Sequence, residues 1–253
     1  MKTKFYLLAV LLGTMSLNAA HEFVSPVYKA IYYAPWSKDS GLMHVTHDKK
    51  TLFVGNVVAV ALKDENGKVT PMREKRSAVF EWKNNVLTSN RPLVETAKEK
   101  DNVAGTPAAT VLKTQTFNPE SISVKAVIRN NTKLTLANSG NVFRDVLFMP
   151  VKDIVGMRVE GTLPDGQTRS ALIPVKYDAK KWGFRGRFTK LQLIGETSVI
   201  TVTAANGCLI SFGYYGWSPI EMSVHAAVAS GNPTQEAGTE NVIEYTIAFE
   251  KAE

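Results

Sequence analysis

Apolar residues recur in this chain at every second position, and no other feature constrains the fold as strongly. Ile122, Val124, Ala126 and Ile128 alternate with Ser121, Ser123 and Lys125, and Ile243, Tyr245, Ile247 and Phe249 alternate with Glu244, Thr246 and Ala248. Successive side chains of an extended strand point to opposite faces, so each segment turns one apolar face to a core. Antiparallel sheets with one covered face carry this pattern. Residues 52–62 are instead almost continuously apolar and rich in β-branched types, which predicts a strand buried on both faces. Further strands are expected at residues 78–82, 133–136, 142–149, 156–160, 170–176, 191–194, 198–203 and 208–214, where Val, Ile, Thr, Phe and Tyr recur.

Turn residues separate these segments. Asn66-Gly67, Asn206-Gly207 and Asp165-Gly166 predict tight hairpins, whose central residues need positive φ. Asn84-Asn85 and Asn130-Asn131 also read as turns. Strands at roughly ten-residue spacing with short turns predict an all-β protein, an antiparallel β-sandwich or supersandwich with few or no helices. Only residues 95–101 read as helical, inside a polar stretch, 89–107, that reads as a long loop. A division into two lobes, if there is one, falls near residue 115, and residues 231–238 form a second flexible loop.

The N-terminus has the three parts of an export signal. Lys2 and Lys4 precede an apolar run at residues 5–15, and Leu17-Asn18-Ala19-Ala20 offers small residues for cleavage. The reading is a signal peptide at 1–20 and a β-sandwich domain at 21–253, exported to the periplasm or outside the cell. No Cys stands at the cleavage site to take a lipid, and no later run is apolar for the roughly eighteen residues a span needs, so no membrane span is expected after signal removal. Cys208 is the one cysteine; it cannot close an internal disulfide, and its apolar strand predicts a buried, inert thiol. Loss of Lys2 and Lys4 takes the formal net charge from +7 to +5. The basic residues are scattered, so nucleic acid is not expected as a partner, whereas an acidic polysaccharide or cell-envelope component is compatible.

Few constellations carry chemistry. His44 and His47 are separated by an odd number and would leave a strand on opposite faces, so no metal site is expected there. His225 reads as a sheet histidine, with a catalytic role as the alternative. No Gly-x-Ser-x-Gly elbow and no phosphate-cradling glycine loop occur, and no cofactor is expected. Glu81, Glu160, Glu221 and Glu244 lie in strand-like contexts; Glu81 beside Trp82 and Glu221 after Trp217 look most like groove residues. The aromatics are more suggestive. Tyr32, Tyr33 and Trp36, then Trp182, Phe184 and Phe188, then Tyr214, Tyr215 and Trp217 stand beside Gly and Pro. Such rings stack on sugar faces, or else plug the ends of a sandwich.

From about Phe117 onward the layout resembles the β-sandwich and supersandwich (galactose mutarotase-like) domains associated with bacterial glycoside hydrolases and polysaccharide lyases. The resemblance rests on a strand at 121–131 running into Asn130-Asn131-Thr132, a strand at 209–217 leading into an aromatic loop, and a closing strand at 238–249. Mutarotase-like members use a His pair and an acid; His44, His47 and His225 do not match those contexts, so no catalytic residue carries over. The resulting expectation is non-catalytic glycan binding, with Trp182, Tyr214, Tyr215 and Trp217 stacking on sugar rings and Arg185 and Arg187 holding hydroxyls or acidic groups. A sugar-active hydrolase, lyase or epimerase using Glu81, Glu221 or His225 is one alternative, and a cell-envelope structural or assembly protein is another.

Overall fold

The computed structural model describes residues 21–32, 43–75, 80–96, 106–137, 142–176, 178, 182–214 and 221–252, excluding the side chains of Tyr214 and Glu221. Their regular secondary structure is nearly all strand. A small antiparallel meander comprises β1 (His21–Val24), β2 (Tyr28–Tyr32), β3 (Met43–His47) and β4 (Lys50–Phe53). There follow β5 (Gly55–Lys63), β6 (Val69–Glu74), β7 (Phe80–Lys83), β8 (Val86–Glu95), β9 (Ala109–Asn118), β10 (Ser121–Asn130), β11 (Leu134–Thr135) and β12 (Val142–Pro150). A single turn of helix, α1 (Val151–Ile154), precedes β13 (Arg158–Thr162), β14 (Thr168–Leu172), β15 (Lys190–Ile194) and β16 (Ser198–Ala205). The chain closes with β17 (Leu209–Tyr214), β18 (Glu221–Ala229), β19 (Thr234–Gln235) and β20 (Glu240–Lys251).

One long ribbon runs β14-β13-β15-β16-β20-β10-β9-β8-β6-β5-β12-β18-β17, with β7 also on β8 and β11 paired apart with β19. The ribbon turns over at β8: Val86 to Pro92 pair with β9, whereas Leu93 to Glu95 pair with β6. Its second half thereby packs over its first, with β12 and β18 against β20 and β17 against β15 and β16. The two-residue period is realised in β10 and β20, whose Val124, Ala126, Ile243 and Ile247 are buried while alternate residues are partly or fully exposed. They share a core with Leu147 of β12 and Val224 and Ala226 of β18.

Several sequence expectations change in the folded chain. Residues 52–62 are not one strand: Leu52 and Phe53 end β4 in the small sheet, and β5 begins at Gly55 in the large one. Both pieces are buried, Leu52 and Phe53 in β4 and Val57, Val58 and Val60 in β5. The supposed loop at 89–107 begins as strand, since Ser89 to Glu95 complete β8; Glu95 is strand, not helix, and most of the expected helix lies outside the described residues. Position 115 falls within β9, paired on both sides, so no break in the chain occurs there. Asn206 and Gly207 both take positive φ, as a tight turn requires, yet β16 and β17 do not pair. That turn passes the chain from one layer to the other. The Asn66-Gly67 and Asp165-Gly166 turns do close hairpins, but through five-residue loops in which only the glycine has positive φ.

The small sheet packs against the ends of the long strands. The Tyr28 ring stacks on Phe249 at 4.4 Å, and its hydroxyl donates to the Asn118 and Ser121 carbonyls at 2.7 and 2.9 Å. His47 points inward and donates from Nδ1 to the Val27 carbonyl at 2.7 Å.

Between the two layers lies a charged cluster. Glu74 (β6) meets Arg91 (β8) at 3.0 Å and Lys113 (β9) at 2.8 Å, and Lys113 meets Asp145 (β12) at 3.0 Å, all four side chains sealed from solvent. Tyr245 of β20 donates to Asp145 at 2.9 Å, Asn56 donates to it at 3.4 Å, and the Val58 N–H donates to Glu74 at 2.9 Å. The carboxylates come from one layer and the cations from the other. Burial pushes the Glu74 carboxyl up, against the pull of Lys113, and lowers Arg91 to about 10.

Candidate functional site

The cluster fixes which way β12 faces. Arg144 and Asp145 are adjacent in a strand, so they point to opposite faces. Asp145 is fully buried between the layers. Arg144 is therefore on the outer face, where it lines two cavities.

Strand register brings other groups beside it. One row across the sheet reads Arg73, Ala59, Arg144, Ala227 and Leu209, from β6 to β17. The next reads Val57, Val146, His225 and Ser211. Arg144 and His225 are thus diagonal neighbours on one face. Beyond β17, Phe188 makes an antiparallel bridge to Ile210, which sets Arg187 alongside Ser211. Phe188 is buried against two glycines: a Cβ on Gly161 would stand 2.5 Å from its ring and one on Gly186 2.7 Å. Those glycines let the ring sink inward, and alternation then turns Arg187 outward.

Arg144, Arg187, Ser211 and His225 together line a cavity of about 250 Å³, with the glycine backbones of Gly186 and Gly207 in its wall. A second cavity of about 450 Å³ lies on the other side of Arg144, between Arg73, Met72 and Val146. The His225 Nε2 and the Ser223 hydroxyl are 2.7 Å apart. Burial, and secondarily the Arg144 charge, lower His225 to about 4, so at neutral pH the imidazole is uncharged.

Of the residues expected from sequence to bind a ligand, Trp182, Arg185 and Arg187 have described side chains. Arg187 lines the smaller cavity and is exposed. Arg185 is exposed two residues away, its carbonyl accepting a 2.7 Å hydrogen bond from Arg169. Trp182 is half-buried, its ring 6.1 Å from Phe184 and 6.3 Å from Phe212. Phe212 is on the inner face of β17, so Trp182 packs with the core and does not line this cavity. Tyr214 ends β17; Tyr215, Trp217 and Trp36 lie outside the described residues. Among the carboxylates, Glu81 is exposed on β7, Glu160 pairs with Arg158 of its own strand at 3.5 Å, and Glu244 lies 4.0 Å from Lys125. None of these three lines the cavity of His225. The sequence reading passed over Arg144, Arg73 and Ser211. Its missed signal was the Arg144-Asp145 pair in the middle of an apolar strand.

Solved structures share this architecture. A galactose mutarotase related enzyme from Lactobacillus acidophilus matches with a TM-score of 0.54 at 10% identity, over 92% of this chain and 97% of that one. A galactose mutarotase-like protein from Lactobacillus casei matches with a TM-score of 0.52 at 9% identity, over 92% and 100%. One from Clostridium acetobutylicum matches with a TM-score of 0.51 at 7% identity, over 94% and 96%. The chain is thus an all-β protein with the galactose mutarotase-like fold. At these identities the likeness is one of fold. No family model matches the sequence, and no curated protein is similar to it.

Proposed function

We propose that this is an exported carbohydrate-binding protein that holds a saccharide against the outer face of β12, β18 and β17, with binding and not turnover as its task. One observation carries the reading: three strands and one bridged loop deliver Arg144, Arg187, Ser211 and His225 to a single cavity. Guanidinium, hydroxyl and imidazole groups around a recess supply the few oriented polar contacts that fix a small polar ligand. The neighbours in fold are named for sugar chemistry, which supports the same ligand class. Tyr214, Tyr215 and Trp217, at and beyond the end of β17, belong to this proposal as stacking partners, and Arg185 as a further hydroxyl donor.

Calorimetric titration with mono- and oligosaccharides tests it. Saturable binding that His225→Ala and Arg187→Ala weaken is the expected result; no binding of any saccharide removes the proposal. Export rests on Lys2, Lys4 and the apolar run after them. N-terminal sequencing of protein from cell fractions should begin near His21 in the exported fraction, and intact Met1 in the cytosol would overturn that part.

An epimerase is the second reading, because the recess holds His225 beside Arg144 and Ser211 on a fold whose neighbours are named for galactose mutarotation. Acceleration of galactose or glucose anomer exchange, followed by NMR and abolished in His225→Gln, would establish it over the first.

A further inference from the structure

The geometry points to an anionic saccharide, bearing a carboxylate, phosphate or sulfate, as the ligand of this face, with Arg144 and Arg187 receiving its charge. This narrows the carbohydrate reading above and rests on it.

The argument is one of matching donors to acceptors. Each hydroxyl of a neutral sugar donates as well as accepts, so it wants carboxylate or amide acceptors. Arginine only donates, through a planar fork that fits a carboxylate or phosphate in a bidentate manner. Arg144 and Arg187 line the smaller cavity, and Arg73 and Arg144 the larger, and among the described residues no Asp or Glu lines either. Among the described residues, the acceptors there are the Ser211 and Thr96 hydroxyls, His225 and backbone carbonyls.

On the outer side, Arg73 and Arg144 occupy one register row with only Ala59 between them. Strands lie about 4.8 Å apart, so their Cα atoms are roughly 10 Å apart, a span that leaves room for an anionic group over the alanine methyl. Arg187 enters from the opposite edge, beside Ser211. Positive charge gathered in a recess raises the local potential more than the same charge on an open surface. Arg144, common to both cavities, is the centre of the arrangement, and Ser211 and His225 are left to meet sugar hydroxyls.

Isothermal titration of the mature protein distinguishes the cases, using galacturonate, glucose 6-phosphate, galactose 6-sulfate, galactose, glucose and inorganic phosphate as probes. At least one anionic sugar should bind about tenfold or more tighter than its neutral counterpart, and rising salt should weaken it. Which anionic probe wins identifies the carboxylate, phosphate or sulfate source. Arg144→Gln and Arg187→Gln should each weaken the anionic probe by about tenfold or more and its neutral counterpart markedly less, which removes most of the preference. Arg187 is exposed, so its variant carries the test if Arg144→Gln fails to fold. Neutral and anionic sugars binding alike, with both variants affecting them equally, would overturn the charge inference and leave the carbohydrate reading intact. Failure of every sugar would sink that reading itself. Inorganic phosphate binding as tightly as glucose 6-phosphate would also overturn the inference, because the sugar would then contribute nothing.

Discussion

Lys113 Nζ on β9 stands 3.0 Å from Asp145 Oδ1 on β12, with both side chains sealed from solvent between two layers. The pair ties one half of the folded ribbon to the other at a fixed register. It also decides the outer face, because Asp145 inward means Arg144 outward. A slip of one residue in β12 would bury Arg144 and expel Asp145, emptying the cavity of its central cation.

Lys113→Met should therefore destabilise the protein by about 3–5 kcal/mol, since Glu74 and Asp145 would keep buried charge with one cation lost. Urea denaturation followed by circular dichroism measures this. Adding Asp145→Asn should recover part of the loss, as the surplus charge goes with it. A Lys113→Met protein within about 1 kcal/mol of the parent would show that the cluster holds little.

The paired glycines around Phe188 make a second, ranked prediction. Gly161→Ala puts its methyl 2.5 Å from the base of a fully buried ring, and Gly186→Ala 2.7 Å from the ring's far end. Both should destabilise, by about 1–3 kcal/mol, with Gly161→Ala the worse. Displacement of Phe188 would also turn Arg187 from its place beside Ser211, so Gly186→Ala should weaken ligand binding in calorimetry while folding is retained. Equal melting temperatures for both variants and the parent would contradict this packing.

Acid should expose the state of His225. Its folded value, about 4, is below the ordinary 6.5, so between those pH values the unfolded chain binds the extra proton. Stability from this group is complete above about pH 6.5 and is lost as the pH falls toward 4, a change of about 3 kcal/mol. Comparing the parent with His225→Gln by urea denaturation at pH 4.5 and 7.5 isolates it from the carboxylates. The parent should lose more stability than the variant; an identical slope in both would refute the assignment.

Cys208 should be silent in the native protein. Its thiol is buried, its Sγ lies 3.6 Å from the Val242 carbonyl, and burial raises it above the ordinary thiol value. A thiol reagent such as Ellman's should label it only after unfolding in urea. Rapid labelling of the folded protein would mean that the strand end around residue 208 opens.

Much of the strand pattern was legible from residue order, because alternation is a local property that each strand displays on its own. The turns were legible for the same reason: Asn206 and Gly207 adopt the positive φ that their types favour. Polar residues on an inner face hide β8 at Arg91 and Ser89, where the residue types alone read as loop. Arg91 is tolerated there because Glu74 meets it at 3.0 Å, and that partner arrives from another strand. The aromatic at Trp182 misled in the opposite sense, since loop position alone does not say whether a ring meets solvent or Phe212.

The sequence by itself determined that this chain forms amphipathic strands and where most of them turn, since side-chain alternation and backbone φ are set within a few residues. Only the tertiary structure decided which strands pair, that the Asn206-Gly207 turn crosses between layers, and that Arg144 joins Arg187, Ser211 and His225. Those outcomes depend on contacts between residues tens of positions apart, above all the burial of Asp145 against Lys113, and such contacts leave no periodic mark on the segments that make them.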